Sequence, residues 1–370
     1  MSLLGGVYGR AAGYRRAWYG RRPDRARGLA QPVISVGNLT VGGSGKTPVV
    51  AALARLLGAA GESPSILTRG YGRRRTSDGV VVVSDGRQIL VPTRESGDEP
   101  QMLARTLPRV PVLVSSDRYL AGRLAESRFG CTVHLLDDGF QHVQLARDID
   151  LLVMSAVDMD ERLLPWGRLR ESLDTASAAD ALLVSDGPDV AASIGDRLGV
   201  VPTFHLASRY GSPRFLGPPD GSPEPGRRVV AVAGIARPER FFSALRDEAA
   251  GQHGGEGWDI AREIVFRDHH WFSRRDLDRI EHAAVDAGAD FVLTTEKDAM
   301  RLEDVRTATG RMPWAFLPQQ VEVEPAAAFA EWLHERLRTA RLGRQPGAGQ
   351  RAASSLQATE ARSGDGGAVA

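Results

Sequence analysis

The chain has 370 residues, 47 Lys+Arg against 46 Asp+Glu and 42% hydrophobic residues, an ordinary globular composition with room for about two domains. Its net charge of +1 gives no ground for a nucleic-acid partner, and none is expected. A single cysteine, Cys131, excludes an internal disulfide framework and a cysteine-built metal site; it precedes the apolar run Val133–Leu136 and reads as a small core residue rather than a nucleophile.

The first 30 residues hold seven arginines (10, 15, 16, 21, 22, 25 and 27) against one acid, Asp24. Leu4, Val7, Tyr8, Tyr14, Trp18 and Tyr19 can share one helical stripe. The segment is either a basic amphipathic element suited to an anionic membrane surface or a helix packed on the body with solvated arginines, and the two are compatible. No stretch approaches the ~18 apolar residues of a membrane span.

From Pro32 onward strand-like and helix-like runs alternate, which predicts an α/β fold: a mostly parallel sheet flanked by helices, with a second, smaller α/β domain; the glycine-rich loop Gly42–Thr47 after the first strand makes it phosphate-loop NTPase-like. Strands are expected at Val33–Val36, Ser65–Thr68, Val80–Val83, Val112–Val114, Val133–Leu136, Leu151–Met154 and Ala181–Val184. A Pro/Gly-dense stretch then reads as a linker, and Val229–Val232 opens a second alternating set that includes Phe291–Leu293 and a helix at Ala326–Arg338. The expected organisation is a membrane-associating segment at 1–30, a nucleotide-binding domain at 31–210, a linker at 211–228, a smaller domain at 229–341 and a disordered tail at 342–370, where periodicity is lost.

Only two lysines occur, Lys46 and Lys297, so each asks for a reason that arginine does not meet. Lys46 lies in Thr40-Val41-Gly42-Gly43-Ser44-Gly45-Lys46-Thr47, between the first strand and a helical pattern from Pro48 to Leu57. Glycines let backbone N–H groups approach a polyphosphate, Lys46 supplies a slender point charge, and Thr47 offers a hydroxyl to Mg²⁺. The strict pattern wants Gly or Ala where Thr40 stands. A metal-holding acid is expected at a neighbouring strand end, and Asp137 and Asp138 follow Val133–Leu136; the alternative for them is a turn into Gly139. His134, inside that run, reads as a satisfied core or rim histidine.

Asp98, in Ser96-Gly97-Asp98-Glu99-Pro100, is either part of a helix start or a general base for an incoming hydroxyl. Asp268-His269-His270 cannot bind one metal through both histidines, since neighbours face different ways; one histidine pairing with a distant carboxylate is more consistent. Lys297 sits at a second strand's C-terminal edge, which suggests a cleft between domains. Nucleotide contact and an ion pair with Glu296 or Asp298 both stay open for it.

Asn38 to Pro48, Thr68-Arg69-Gly70-Tyr71-Gly72, Gly97-Asp98-Glu99-Pro100, Asp137 to His142, Leu164 to Glu171, Asp268-His269-His270 and Thr295-Glu296-Lys297-Asp298 occur in this order. Together they closely resemble the tetraacyldisaccharide 4′-kinases, the lipid A kinases of Gram-negative bacteria, from the basic N-terminus to about residue 338. The resemblance implies transfer of the γ-phosphate of ATP to the 4′-hydroxyl of a tetraacyldisaccharide 1-phosphate, giving the 1,4′-bisphosphate, at the cytoplasmic face of the bacterial inner membrane, with the enzyme peripheral or monotopic there. It implies ATP and Mg²⁺ as cofactors, a lipid disaccharide and an anionic membrane surface as partners, and no obligate protein partner. By resemblance the loop Gly42–Thr47 holds the ATP phosphates, Asp137 and Asp138 serve the magnesium, and Asp98 is the base, assisted by His269 rather than His270. Arg170, Glu171, Arg69 and Tyr71 match positions near the site, and Arg170 has the chemistry to stabilise the transferring phosphoryl group. Glu99 and Lys297 complete the candidates. The competing readings are a phosphate-loop switch or chaperone, which leaves the Asp-His-His cluster and the basic N-terminus without a task, and a soluble small-molecule kinase.

Overall fold

A computed structural model describes residues 13–43, 45–75, 78–217, 227–248, 258–302, 305 and 312–344. The described strands are, in chain order, β1 (Val33–Gly37), β2 (Pro64–Thr68), β3 (Val81–Asp85), β4 (Pro111–Val114), β5 (Val133–Asp137), β6 (Ile149–Met154), β7 (Ala181–Val184), β8 (Thr203–Tyr210), β9 (Arg214–Phe215), β10 (Arg228–Ala233), β11 (Asp259–Val265), β12 (Phe291–Thr295), β13 (Trp314–Leu317) and β14 (Gln319–Glu324). The helices used below are α1 (Lys46–Ala59), α2 (Thr93–Ser96), α3 (Asp98–Thr106), α4 (Arg118–Phe129), α5 (Pro188–Leu198), α6 (Pro238–Glu248), α7 (Arg274–Asp286), α8 (Glu296–Leu302) and α9 (Ala326–Arg344).

Strand β1 is buried along its whole length and pairs in parallel on both sides, with β5 and β6. Unbroken apolar runs are what strands covered on both faces require. The larger sheet runs β14-β8-β7-β6-β1-β5-β2-β4-β3, with β3 and β14 antiparallel at its edges. Helix α1 lays Val49, Val50, Leu53 and Leu57 against Ile34, Val36 and Ile66 in one core, which holds the phosphate loop at the C-terminal end of β1. The smaller sheet runs β11-β10-β12-β13-β9, with Phe241, Phe242 and Leu245 of α6 covering one face and Leu277, Ile280 and Ala284 of α7 the other.

The expected smaller unit at 229–341 needs correcting at its end. Strand β14 pairs antiparallel with β8 of the larger sheet, and α9 buries Phe329, Leu333 and Leu337 in the core that α1 occupies. Each such side chain contributes roughly 1.5–3 kcal/mol, so the chain's return is a firm part of the first unit. The physical reason is legible in Gln319–Glu324, where buried Val321 and Val323 alternate with polar residues, as a strand with one wet face does. The expected linker at 211–228 is also partly structural, since Arg214–Phe215 pair with β13.

Residues 13–20 are helical. Arg16 docks this helix on the body, donating to Glu171 Oε2 and to the Phe140 carbonyl oxygen, each at 2.8 Å, while Tyr14 is exposed. Residues 1–12 of the expected amphipathic stripe, and 345–370 of the expected tail, lie outside the described residues. No helix among the described residues is long and apolar enough to cross a membrane.

Candidate active site

The phosphate loop takes its shape from two glycines and an outside brace. Gly42 and Gly45 have φ of 97° and 79°, left-handed conformations that cost an L-residue with a side chain roughly 1–2 kcal/mol, and Gly45 caps α1. Arg168 reaches over Gly42 and donates through Nη2 and Nε to the Val41 carbonyl oxygen at 2.8 and 3.1 Å, so a side chain at 42 would strike the guanidinium. Lys46 Nζ donates to Asn38 Oδ1 at 3.0 Å and lies 3.4 Å from Asp138 Oδ1. Thr40, the departure from the strict pattern, is buried: its hydroxyl accepts from Asn38 Nδ2 at 3.0 Å and faces Asp158 Oδ1 at 3.3 Å. Threonine thus anchors the residue that holds Lys46. Thr47 is buried at the start of α1; Ser44 lies outside the described residues.

Asp137 ends β5 and Asp138 follows it in a left-handed conformation, φ 54°, a strained position of the kind that collects at functional sites. Arg170 Nη1 donates to both Asp138 oxygens, at 2.8 and 3.0 Å, and to Gln141 Oε1 at 3.2 Å. Asp138 therefore sits between two cations, Lys46 and Arg170. Burial would raise its carboxyl, but those charges hold it below the usual range. Asp137 behaves oppositely: burial first, then the charges of Glu99 and Asp138, push it up to about 7. Its Oδ1 is buried and finds no hydrogen-bond partner among the described residues. A buried acid with an orphan oxygen, next in sequence to a second carboxylate and on the same cavity as Thr47, fits a divalent cation. Magnesium binds through one or two carboxylates and the substrate's phosphates, and Asp137 and Asp138 are two carboxylates on the cavity wall.

The third cluster joins the two units. His269 Nδ1 is 3.0 Å from Asp98 Oδ2, and its Nε2 is 3.2 Å from Lys297 Nζ. An ammonium can only donate, so Nε2 accepts and Nδ1–H donates to Asp98: the pair fixes one neutral tautomer. Asp98 begins α3; its Oδ1 accepts from the Glu99 N–H at 3.0 Å and its Oδ2 lies 3.3 Å from Arg301 Nε. Burial would raise the Asp98 carboxyl, yet the His269 hydrogen bond and the Lys297 and Arg301 charges hold it at about 2. Lys297 pairs with Glu99 at 3.1 Å and Asp268 at 3.7 Å. This corrects the expected partners of Lys297: Glu296 instead accepts from the Thr106 hydroxyl at 3.1 Å and Asp298 from Arg301 at 2.8 Å. His270 faces away, stacked on Phe266 and 3.2 Å from Asp276. His269 has φ 57°, and Tyr71 sets its ring edge-on to it at 5.0 Å.

One cavity of about 1470 Å³ brings these groups together, lined by the phosphate loop, Asp137, Asp138, Arg170, Glu171, Arg69, Tyr71, Glu99, Asp268, His269 and Lys297. It exceeds the ~300–1,000 Å³ of an ordinary small-molecule site. His269 borders it, whereas Asp98, 2% exposed, lies behind His269. Sequence reasoning missed Arg15, Gln141, Arg237 and Arg240 on its wall, and buried Arg118, whose pKa falls to about 10 through burial and the charge of Arg69. In a chain with 45 arginines, 47 Lys+Arg less two lysines, none of these arginines carries a sequence signal of its own.

The sequence profile of the tetraacyldisaccharide-1-P 4′-kinase family matches residues 1–338. The tetraacyldisaccharide 4′-kinase of Geobacter metallireducens is 39% identical over 317 residues, spanning 84% of this chain and 90% of that protein. The tetraacyldisaccharide 4′-kinase of Nitrobacter winogradskyi is 41% identical over 311 residues, spanning 81% and 82%. The crystal structure of the "apo" form of LpxK from Aquifex aeolicus in complex with ATP aligns with a TM-score of 0.68 at 30% identity, covering 90% of this chain and 97% of that one.

Proposed function

The chain belongs to the tetraacyldisaccharide-1-P 4′-kinase family, and from that premise we propose that this cavity transfers the γ-phosphoryl group of ATP to the 4′-hydroxyl of a tetraacyldisaccharide 1-phosphate. The observation that carries the proposal is that the phosphate loop and His269, backed by Asp98 at 3.0 Å, meet on one cavity. Phosphoryl transfer needs an electrostatic cradle and an aligned acceptor more than covalent chemistry. Loop amides at Gly42, Gly43 and Gly45, the N-terminus of α1 and Lys46 form the cradle for the β- and γ-phosphates. Thr47, Asp137 and Asp138 would hold magnesium, which when bound neutralises phosphate charge. Arg170 fixes Asp138 and adds positive charge on the same wall.

The acceptor hydroxyl gives up its proton to the Asp98–His269 pair: it takes the place of Lys297 Nζ on His269 Nε2 and leaves the proton there, while Nδ1–H stays on Asp98. His269 is the cavity-side member; Asp98 supplies the negative charge and holds the imidazole in one tautomer. Lys297, tied to Glu99 and Asp268, keeps a cation beside the pair. Arg69 and Arg15 offer a positive wall for the acceptor's own phosphate, and buried Arg118, whose pKa burial and the charge of Arg69 both lower, stands behind that wall. The acyl chains stay at the bilayer while the basic N-terminal segment lies on the anionic cytoplasmic face of the inner membrane. Exposed Tyr14 and Trp166 support that placement, since aromatic rings favour the membrane–water boundary.

Phosphorus NMR of the lipid recovered after incubation with ATP tests this reading. The expected product carries a second phosphomonoester at the 4′ position. Inorganic phosphate without altered lipid would favour a hydrolytic switch instead.

A further inference from the structure

Helix α8 belongs to the smaller unit, yet its arginine faces a carboxylate of the larger one. Arg301 is 1% exposed. Its Nη2 donates to Asp298 Oδ1 at 2.8 Å and to the Gly234 carbonyl oxygen at 3.1 Å, and its Nη1 to the His270 carbonyl oxygen at 3.1 Å. Asp298 is fully buried and is itself held by the Gly234 N–H at 2.9 Å and the Thr295 hydroxyl at 2.6 Å. These contacts lock the guanidinium to the C-terminal edge of β10 and β12. The remaining donor, Nε, lies 3.3 Å from Asp98 Oδ2 and makes no hydrogen bond among the described residues. An ion pair with Asp298 alone would not require the fork to point across the cleft, and a buried donor left unmade is unfavourable.

We propose that Arg301, held by Asp298, is the positioning residue of the Asp98–His269 pair: it keeps Asp98 ionised and makes assembly of the pair depend on α8 seating against α3. The inference rests on the reading that this pair takes the hydroxyl proton. Five charged or titratable groups face the pair besides Arg301, namely Lys297, Glu99, Asp268, Tyr71 and, through Arg301, Asp298. Arg301 and Lys297 are the cations among them, so neutralising Arg301 lets the pair hold its protons more tightly. The direction is the same whichever member of the pair binds the proton.

The test is the pH profile of kcat, with the KM for ATP, in four full-length variants: Arg301→Lys, Arg301→Gln, the double variant Asp298→Asn/Arg301→Gln, and Asp98→Asn. Arg301→Gln is expected to lower kcat about tenfold or more and to move the acid limb up by about one pH unit, the usual size for loss of a cation within 4–6 Å. KM for ATP stays within about twofold, because the phosphate loop is untouched, and Arg301→Lys restores the limb. The double variant leaves no lone buried charge and gives the same limb shift if the single one does not fold. An acid limb unmoved in both neutral variants, whatever activity is lost, would overturn the proposal and leave Arg301 a structural tie. Wild-type turnover in Asp98→Asn would instead remove the proton-accepting pair itself, and the proposal with it.

Discussion

Asp98→Asn and His269→Ala, made singly and together, probe the pair most sharply. Asparagine keeps the shape of Asp98, so the Glu99 N–H retains an oxygen acceptor while the negative charge beside His269 is lost. Alanine at 269 removes the cavity-side base. Loss of a positioned base lowers turnover by roughly 10²–10⁴; taking 10²–10³ for each variant gives about 3–4 kcal/mol of lost transition-state stabilisation apiece. Independent groups would sum to about 6–8 kcal/mol. Groups acting as one unit, 3.0 Å apart through a single hydrogen bond, leave the double variant no worse than the poorer single one, a coupling of about 3 kcal/mol. The assay is single-turnover transfer of label from γ-labelled ATP to detergent-dispersed lipid acceptor. Multiplicative losses would refute the claim that the two residues act as one unit.

Acid stability should carry the mark of Asp98 too. Its folded carboxyl is held at about 2 against an ordinary 3.8, so its contribution is complete above the unfolded value and is lost as pH falls through about 2. The size is roughly 2 kcal/mol, and denaturant midpoints between pH 5 and 2 should fall less steeply in Asp98→Asn than in the wild type; parallel curves would argue against the ionised buried carboxylate. Arg69→Ala should raise KM for the lipid acceptor about tenfold or more, the size of a lost hydrogen bond to a charged group, while KM for ATP stays within about twofold, and a reversed pattern in steady-state kinetics would move the acceptor phosphate elsewhere. Deleting residues 1–28 should reduce sedimentation with anionic vesicles more than turnover on detergent-dispersed acceptor, and unchanged sedimentation would count against the membrane-surface assignment.

The phosphate loop was readable in sequence because everything it needs is local: a strand, glycines at fixed offsets, a lysine and a hydroxyl within a few residues. Its one irregularity, Thr40, became intelligible only with the Asn38 and Asp158 contacts. The Asp98–His269 contact joins residues 171 apart, and no periodicity announces such a meeting; the residues alone point to one histidine pairing with a distant carboxylate, and the family resemblance is what names the two. For Lys297 the sequence leaves nucleotide contact and an ion pair with Glu296 or Asp298 both open. Successive helical side chains point about 100° apart, so α8 sends Glu296 to Thr106, Lys297 to the cavity and Asp298 to Arg301. The return of β14 to the larger sheet was present as alternation at 319–324, but a short polar-rich edge strand carries a weaker signal than the unbroken apolar runs around it.

The most direct measurement is transfer of label from γ-labelled ATP to detergent-dispersed tetraacyldisaccharide 1-phosphate, with Lys46→Ala as the control. The account predicts labelled lipid with the wild-type chain and a loss of about two orders of magnitude or more with the control, since Lys46 is an electrostatic element of the phosphate cradle. Label appearing only as free phosphate, whether or not lipid is present, would contradict it.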